Sequence, residues 1–211
     1  MAKVKTAFYC QNCGTSEIKM NGLGGSYSQI LIDSRPIFSA LNSVYGLDQI
    51  PANIIKQIEV VRGGGSALYG SNAIAGTINI ITKDPSENSF TMGSNLALID
   101  GTTQDKTLTF NGTVINKDFD TGIALFGMKR QRDHYDADND GFSEITKMEN
   151  TSFGLKAFTR PNDRKKITAE FNAINEFRRG GNKLELLPFL ADITEQIAST
   201  VVAGGLTYEY L

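Results

Sequence analysis

From residue 88 onward, apolar and polar positions alternate with a period of two, the spacing of a strand with two different faces. Phe90, Met92, Leu96 and Leu98 share one parity, with Thr91, Gly93, Asn95 and Ala97 between them. Leu108, Phe110, Gly112 and Val114 repeat the pattern against Thr107, Thr109, Asn111 and Thr113. Residues 120–131 are apolar on both parities. Phe153, Leu155 and Ala157 alternate with Ser152, Gly154 and Lys156, and Ile167, Ala169, Phe171 and Ala173 alternate with Thr168, Glu170 and Asn172. Val202, Leu206, Tyr208 and Tyr210 close the chain. The pattern predicts six strands of about 10 residues each, in a run of hairpins. Asn116-Lys117-Asp118 and Arg160-Pro161-Asn162-Asp163 are tight turns, while longer loops are expected near 99–105, 132–146 and 177–197. Short turns at one rim and long loops at the other suit a transmembrane barrel. A soluble sandwich of amphipathic strands has the same alternation.

Residues 1–85 follow different rules. Asn21-Gly22 inside a glycine-rich stretch is a hairpin signal. Gln29–Asp33 reads as a short buried strand broken by Ser34-Arg35-Pro36. Ile54–Arg62 reads as a helix end or turn and another short strand, followed by Gly63-Gly64-Gly65, whose backbone is free to take positive φ, and Thr77–Thr82 reads as a third strand. A compact mixed domain of short pieces is expected over 1–87, with the strand-rich part over 88–211.

Composition narrows the classes. The 211 residues carry 21 Lys+Arg and 23 Asp+Glu, a net charge of −2, which excludes a nucleic-acid footprint carried by net charge. With 40% apolar and 21% charged residues, the chain is not of disordered composition. No apolar run approaches the roughly 18 residues of a membrane helix, and Met1–Cys10 holds no apolar signal core.

Two clusters carry candidate chemistry. Asp136-Ala137-Asp138-Asn139-Asp140-Gly141-Phe142-Ser143-Glu144 resembles the start of a Ca²⁺ loop: carboxylates at alternate positions point one way and Gly141 permits the sharp turn. Position twelve of such a loop is Lys147 rather than Glu, so a full EF-hand is not expected. Asp136, Asp138, Asp140 and Glu144 remain Ca²⁺ candidates against an acidic solvated loop. Cys10-Gln11-Asn12-Cys13-Gly14 is compatible with half a zinc site, a redox pair or a disulfide. A closed zinc site needs further thiol or imidazole ligands, and His134 is the only histidine. Gly22-Leu23-Gly24-Gly25 lacks the strand-turn-helix setting of a dinucleotide loop. No Ser/His/Asp constellation is present, which favours transport over catalysis.

Ile58–Lys83, with glycines at 63–65, 70 and 76, closely resembles the signature of the plug domain of TonB-dependent outer-membrane receptors. Ile30–Pro36 resembles the strand and turn before an apical plug loop of that family. The Cys-x-x-Cys-Gly segment is similar to that of Bacteroidetes-type members. The resemblance implies an α+β plug followed by about six antiparallel strands of an incomplete membrane β-barrel, located in the outer membrane. It implies Glu59 and Arg62 at a plug–barrel contact, with Arg62 against barrel carboxylates. Tyr27, Phe38 and Tyr45 become ligand-contact candidates beside the reading of ordinary plug packing. Arg178, Arg179 and Lys183 are placed in an outer loop, able to attract an acidic ligand. In the periplasm so implied, a Cys10–Cys13 disulfide is expected in preference to two reduced thiols.

The function expected from the resemblance is energy-coupled import of a scarce bulky nutrient, a ferric siderophore, haem or cobalamin. The partners are then the TonB complex of the full-length protein, a small-molecule or metal-chelate ligand and outer-membrane lipid, with no nucleic acid. No catalytic residue and no cofactor other than Ca²⁺ is expected. The alternatives are a Ca²⁺-dependent soluble or surface β-rich binding module and, more weakly, a hydrolase on a β-scaffold. A barrel of about 22 strands needs far more chain than this one holds, so a piece of a receptor is expected: most of a plug and roughly the first quarter of a barrel.

Overall fold

The computed structural model describes residues 5–10, 15–36, 50, 52–64, 66–70 and 72–210. The chain divides into two compact units, Met1–Lys83 and Asp84–Leu211. Cys10 ends a described strand by its backbone, but its side chain, Cys13, Phe38 and Tyr45 lie outside the described residues.

In the first unit, β1 (Lys5–Cys10) and β2 (Thr15–Lys19) form an antiparallel pair. A second sheet has the order β4-β3-β6-β5, from β3 (Ser28–Ile32), β4 (Arg35–Pro36), β5 (Ile55–Arg62) and β6 (Gly76–Thr82). β3 runs parallel to β6, and β5 runs antiparallel to it. The central strand β6 is buried along almost its whole length, so its Thr-Ile-Asn-Ile-Ile run has no solvent face. Ile78 and Ile80 pack with Met20, Ile30 and Ala75 in the core. The only α-helix among the described residues is α1 (Ser66–Tyr69).

Local chemistry explains the turns. Asn21 and Gly22 both have positive φ (53° and 82°), and Met20 and Leu23 exchange backbone hydrogen bonds across them, the mirror-image turn that Asn-Gly favours. Ser34-Arg35-Pro36 does not simply break β3, as the sequence suggests. Asp33 and Ser34 form a tight turn at positive φ, and Arg35–Pro36 folds back as β4. The Asp33 carboxylate holds this turn by accepting from the Thr82 backbone N–H (2.9 Å) and hydroxyl (2.5 Å). Gly76 is required by contact: an added Cβ would sit 2.4 Å from the Val61 carbonyl oxygen.

The second unit is a six-stranded antiparallel meander of consecutive neighbours: β7 (Ser89–Ile99), β8 (Thr103–Ile115), β9 (Thr121–Arg132), β10 (Lys147–Asn162), β11 (Lys165–Gly181) and β12 (Thr194–Tyr210). The strands run to 16 or 17 residues in β10–β12, well beyond the expected ten. Two loop expectations are corrected. Residues 99–105 do not form a long loop, because Asp100 and Gly101, both at positive φ, close a tight turn with Thr102 N–H donating to the Ile99 carbonyl. The expected 177–197 loop shrinks to 182–193, as β11 continues to Gly181 and β12 starts at Thr194.

Register assigns the faces. Met92, Phe110 and Gly127 lie in one cross-strand row, as do Val114, Ile123, Ala157, Ala169 and Leu206. This face is apolar yet solvent-accessible, with Phe90 72%, Met92 64% and Leu206 73% exposed. The opposite face carries Asp105, Arg130, Lys156, Glu170, Glu176 and Arg178. An inside-out sheet of this kind contradicts a soluble sandwich, which buries its apolar face, and matches a barrel wall in lipid. On β12, Val202–Tyr210 spans about 27 Å along the strand, or about 21 Å across a bilayer at a tilt near 40°. Tyr208 and Tyr210 end that band as aromatic residues of an interface.

Candidate functional site

The charged face of the second unit is organised by pairing across strands. At the rim of the tight turns, Asp84 lies 3.0 Å from Lys156 and 3.2 Å from Lys166, and Lys156 also faces Glu170 at 3.9 Å. Burial pushes the Asp84 carboxyl pKa up, but its hydrogen bond to Lys156 and the charges of Lys156 and Lys166 outweigh that and lower it. The segment after Asp84 is stitched to the same strands. Pro85 is buried and lies beside Gly122 and Phe158, Thr113 donates its hydroxyl to the Glu87 carbonyl (2.6 Å), and the Asn88 side chain accepts from the Ile115 N–H (2.6 Å). Residues 84–88 thus cross β11, β10, β9 and β8 as a strap before β7 begins.

Further along this face, Arg130 makes a two-pronged contact with Asp105 (3.0 and 2.6 Å). Glu176 accepts from Arg178 and from the Asn150 amide (3.1 Å), and both charged side chains are only 1–2% exposed. Period-two spacing puts Glu176 and Arg178 on one face and was the signal available for this pair. Arg178 and Arg179 correct the sequence reading: they are buried strand residues at the end of β11, not an exposed basic loop. Lys183 does lie in the loop, tied to Asp192 at 2.9 Å. Hydrogen bonds from Lys183 and then Asn182 hold the exposed Asp192 carboxyl below its usual value.

At the rim of the long loops, one ligand oxygen from each of Asp136, Asp138, Asp140 and Glu144 falls within 4.8 Å of the others. The loop turns on itself: Asp136 accepts from the Asn139 and Gly141 N–H groups (2.7 and 2.9 Å), Asp140 from Phe142 N–H (2.8 Å) and Glu144 from Ala137 N–H (2.5 Å). Gly141 has φ 89°, as the sharp turn requires. Tyr135, at the loop entrance, donates to Asp100, a bond that raises its phenol pKa. Ser143 ties this loop to the next, its backbone N–H and hydroxyl both bonding Gly181.

In the first unit, Tyr27 closes a turn of 3-10 helix (Gly25–Tyr27) and is 46% exposed. Glu59 is exposed on β5 and accepts from Gln57 (2.8 Å) and Asn79 (3.2 Å). Arg62 is the last residue of β5, as the sequence suggests.

Residues 1–77 match the family model of the TonB-dependent receptor plug domain. This N-terminal part is thus similar to a TonB-dependent receptor plug. The chain is 37% identical over 99 residues to a vitamin B12 transporter of Vibrio vulnificus, covering 47% of this chain and 16% of that one. It is 28% identical over 143 residues to a ferric enterobactin receptor of Pseudomonas aeruginosa, covering 61% of this chain and 19% of the relative. Among solved structures, the fold superposes on a siderophore receptor of Acinetobacter baumannii with TM-score 0.64 and 20% identity, over 84% of this chain and 28% of that one. A ferric enterobactin receptor of Pseudomonas aeruginosa gives TM-score 0.62 at 19% identity, over 85% and 30%. The fold is therefore that of a receptor plug followed by part of a membrane β-barrel. The chain spans less than a third of the length of these relatives. In the receptor setting, the apolar face of β7–β12 is the lipid face and the charged face is the lumen. The Bacteroidetes-type resemblance expected from Cys10–Gly14 falls on residues of which only the Cys10 backbone is described.

Proposed function

We propose that the full-length protein is an outer-membrane receptor that imports a bulky scarce chelate, a ferric siderophore, haem or cobalamin, with energy passed on by TonB. The observation that supports it is the plug match over residues 1–77 leading directly into a sheet with a lipid-type face and a charged lumenal face. No bond of the cargo is made or broken in this reading. Tyr27, Phe38 and Tyr45 contact the ligand from the plug, and Glu59 and Arg62 contact the barrel, Arg62 through barrel carboxylates. Cys10 and Cys13 form a disulfide.

Asp136, Asp138, Asp140 and Glu144 bind Ca²⁺ in this reading, which orders the outer loop; carboxylate oxygens suit that hard cation. Calorimetry on the folded full-length receptor reads Ca²⁺ binding directly, and no Ca²⁺ heat would remove the site. For the transport reading, deletion in the native bacterium followed by uptake of labelled ferric enterobactin, haem and cobalamin is decisive. Loss of uptake of one ligand, restored by the wild-type gene and not by a TonB-deficient background, is expected. Unchanged uptake of all three would overturn it.

A further inference from the structure

The lumenal cations of the sheet have partners, whereas the outward lysines Lys106 and Lys129 form no ion pair among the described residues. Lys156 and Lys166 meet Asp84, Arg130 meets Asp105, Arg132 meets the Thr146 carbonyl and hydroxyl, and Arg178 meets Glu176. Lys106 and Lys129 are exposed on the opposite, lipid-facing parity, and no ion pair among the described residues holds either ammonium.

Their position is defined by register. Ser94, Leu108 and Lys129 form one cross-strand row, and Leu96, Lys106 and Gln131 form the next. These six side chains line an outward groove of about 380 Å³. Below it, toward the tight turns, the rows are apolar: Met92-Phe110-Gly127 and Phe90-Gly112-Leu125. The same boundary continues across the sheet, from Phe153 to Thr151, from Ala173 to Asn175 and from Val202 to Thr200. In a barrel wall the long loops mark the external rim, so the groove lies where outer-leaflet headgroups meet the hydrocarbon. It offers Leu96 and Leu108 to an acyl chain and two ammonium groups to an anionic head.

We propose that this groove binds a phosphorylated lipid of the outer leaflet, with its phosphate between Lys106 and Lys129 and an acyl chain over Leu96 and Leu108. The inference rests on the outer-membrane reading above. Lysine near an anionic lipid surface is worth roughly fivefold in binding, so the pair contributes about 30-fold.

The test uses the full-length receptor in non-ionic detergent and native mass spectrometry. The probes are bisphosphorylated lipid A, the dephosphorylated lipid of the same acylation and inorganic phosphate. The wild type is expected to retain the bisphosphorylated lipid about 30-fold better than the dephosphorylated one. Lys106→Gln/Lys129→Gln removes that preference, and Lys106→Arg/Lys129→Arg keeps it. Heat-modifiable gel mobility verifies that each variant is folded. Equal retention of the two lipids by the wild type, an unchanged preference in the Gln pair, or displacement of the lipid by equimolar phosphate overturns the inference. Membrane fractionation of the wild type separates the two readings: a receptor in the outer membrane without phosphate preference refutes the groove alone, and a protein absent from that membrane refutes the transport reading.

Discussion

Neutralising Glu176 is the sharpest perturbation of the lumenal wall. Its carboxylate accepts from Arg178 and from Asn150, and both charged side chains are 1–2% exposed. Glu176→Gln keeps the shape and one acceptor oxygen but leaves the guanidinium buried without its counter-charge. Breaking a buried pair by removing one partner costs about 3–5 kcal/mol, because the remaining charge keeps its desolvation penalty. Arg178→Gln should cost a similar amount, since it strands the carboxylate. The double variant Glu176→Gln/Arg178→Gln retains no charge and should be less destabilised than the sum of the two, a coupling of about 1–3 kcal/mol. The assay is denaturant unfolding of the full-length receptor in lipid vesicles, with the three variants and wild type forming a closed cycle. A cost below about 1 kcal/mol for Glu176→Gln, the value of a solvated pair, would refute the reasoning.

Three further outcomes follow from the geometry. Gly154→Ala places a Cβ 2.0 Å from the Phe126 ring, and the forced repacking should cost about 1–3 kcal/mol in the same unfolding assay, with Phe126→Leu recovering part of it. Gly101→Val puts a β-branched residue at φ 70° in the β7–β8 turn, and a loss of roughly 1–3 kcal/mol is expected, read as a lower unfolding midpoint. Asp84 has a lowered folded pKa, so its contribution is present above the ordinary carboxylate value of 3.8 and fades as pH falls through the folded value. Asp84→Asn should therefore flatten the acid limb of a stability-against-pH curve below about pH 4; an unchanged acid limb would count against the strap.

Much of the architecture is written in local pattern. Alternation of Phe90, Met92, Leu108, Phe110, Leu155 and Phe171 with polar neighbours predicts strands and their two faces, because successive side chains of a strand point opposite ways. Asn21-Gly22 predicts its turn because both positions must tolerate positive φ. The Asp136, Asp138 and Asp140 spacing predicts three carboxylates on one side of a turn at Gly141, and the structure brings Glu144 to them as the fourth. Asp100-Gly101 carries the same turn chemistry as Asn21-Gly22, and reading it would have shortened the expected 99–105 loop.

Only the tertiary structure decided the partners. Asp84 meets Lys156 and Lys166 across more than seventy residues, and Arg130 meets Asp105, because register is set by the whole meander and not by any window of sequence. Arg178 and Arg179 look like loop charges until β11 is seen to run on to Gly181, which turns the first into a buried partner of Glu176. The same holds for the outward groove. Lys106 and Lys129 are ordinary polar positions in sequence. They become neighbours beside Leu96 and Leu108 only when three strands pair in one register, since cross-strand distance follows from hydrogen-bonded alignment rather than chain separation.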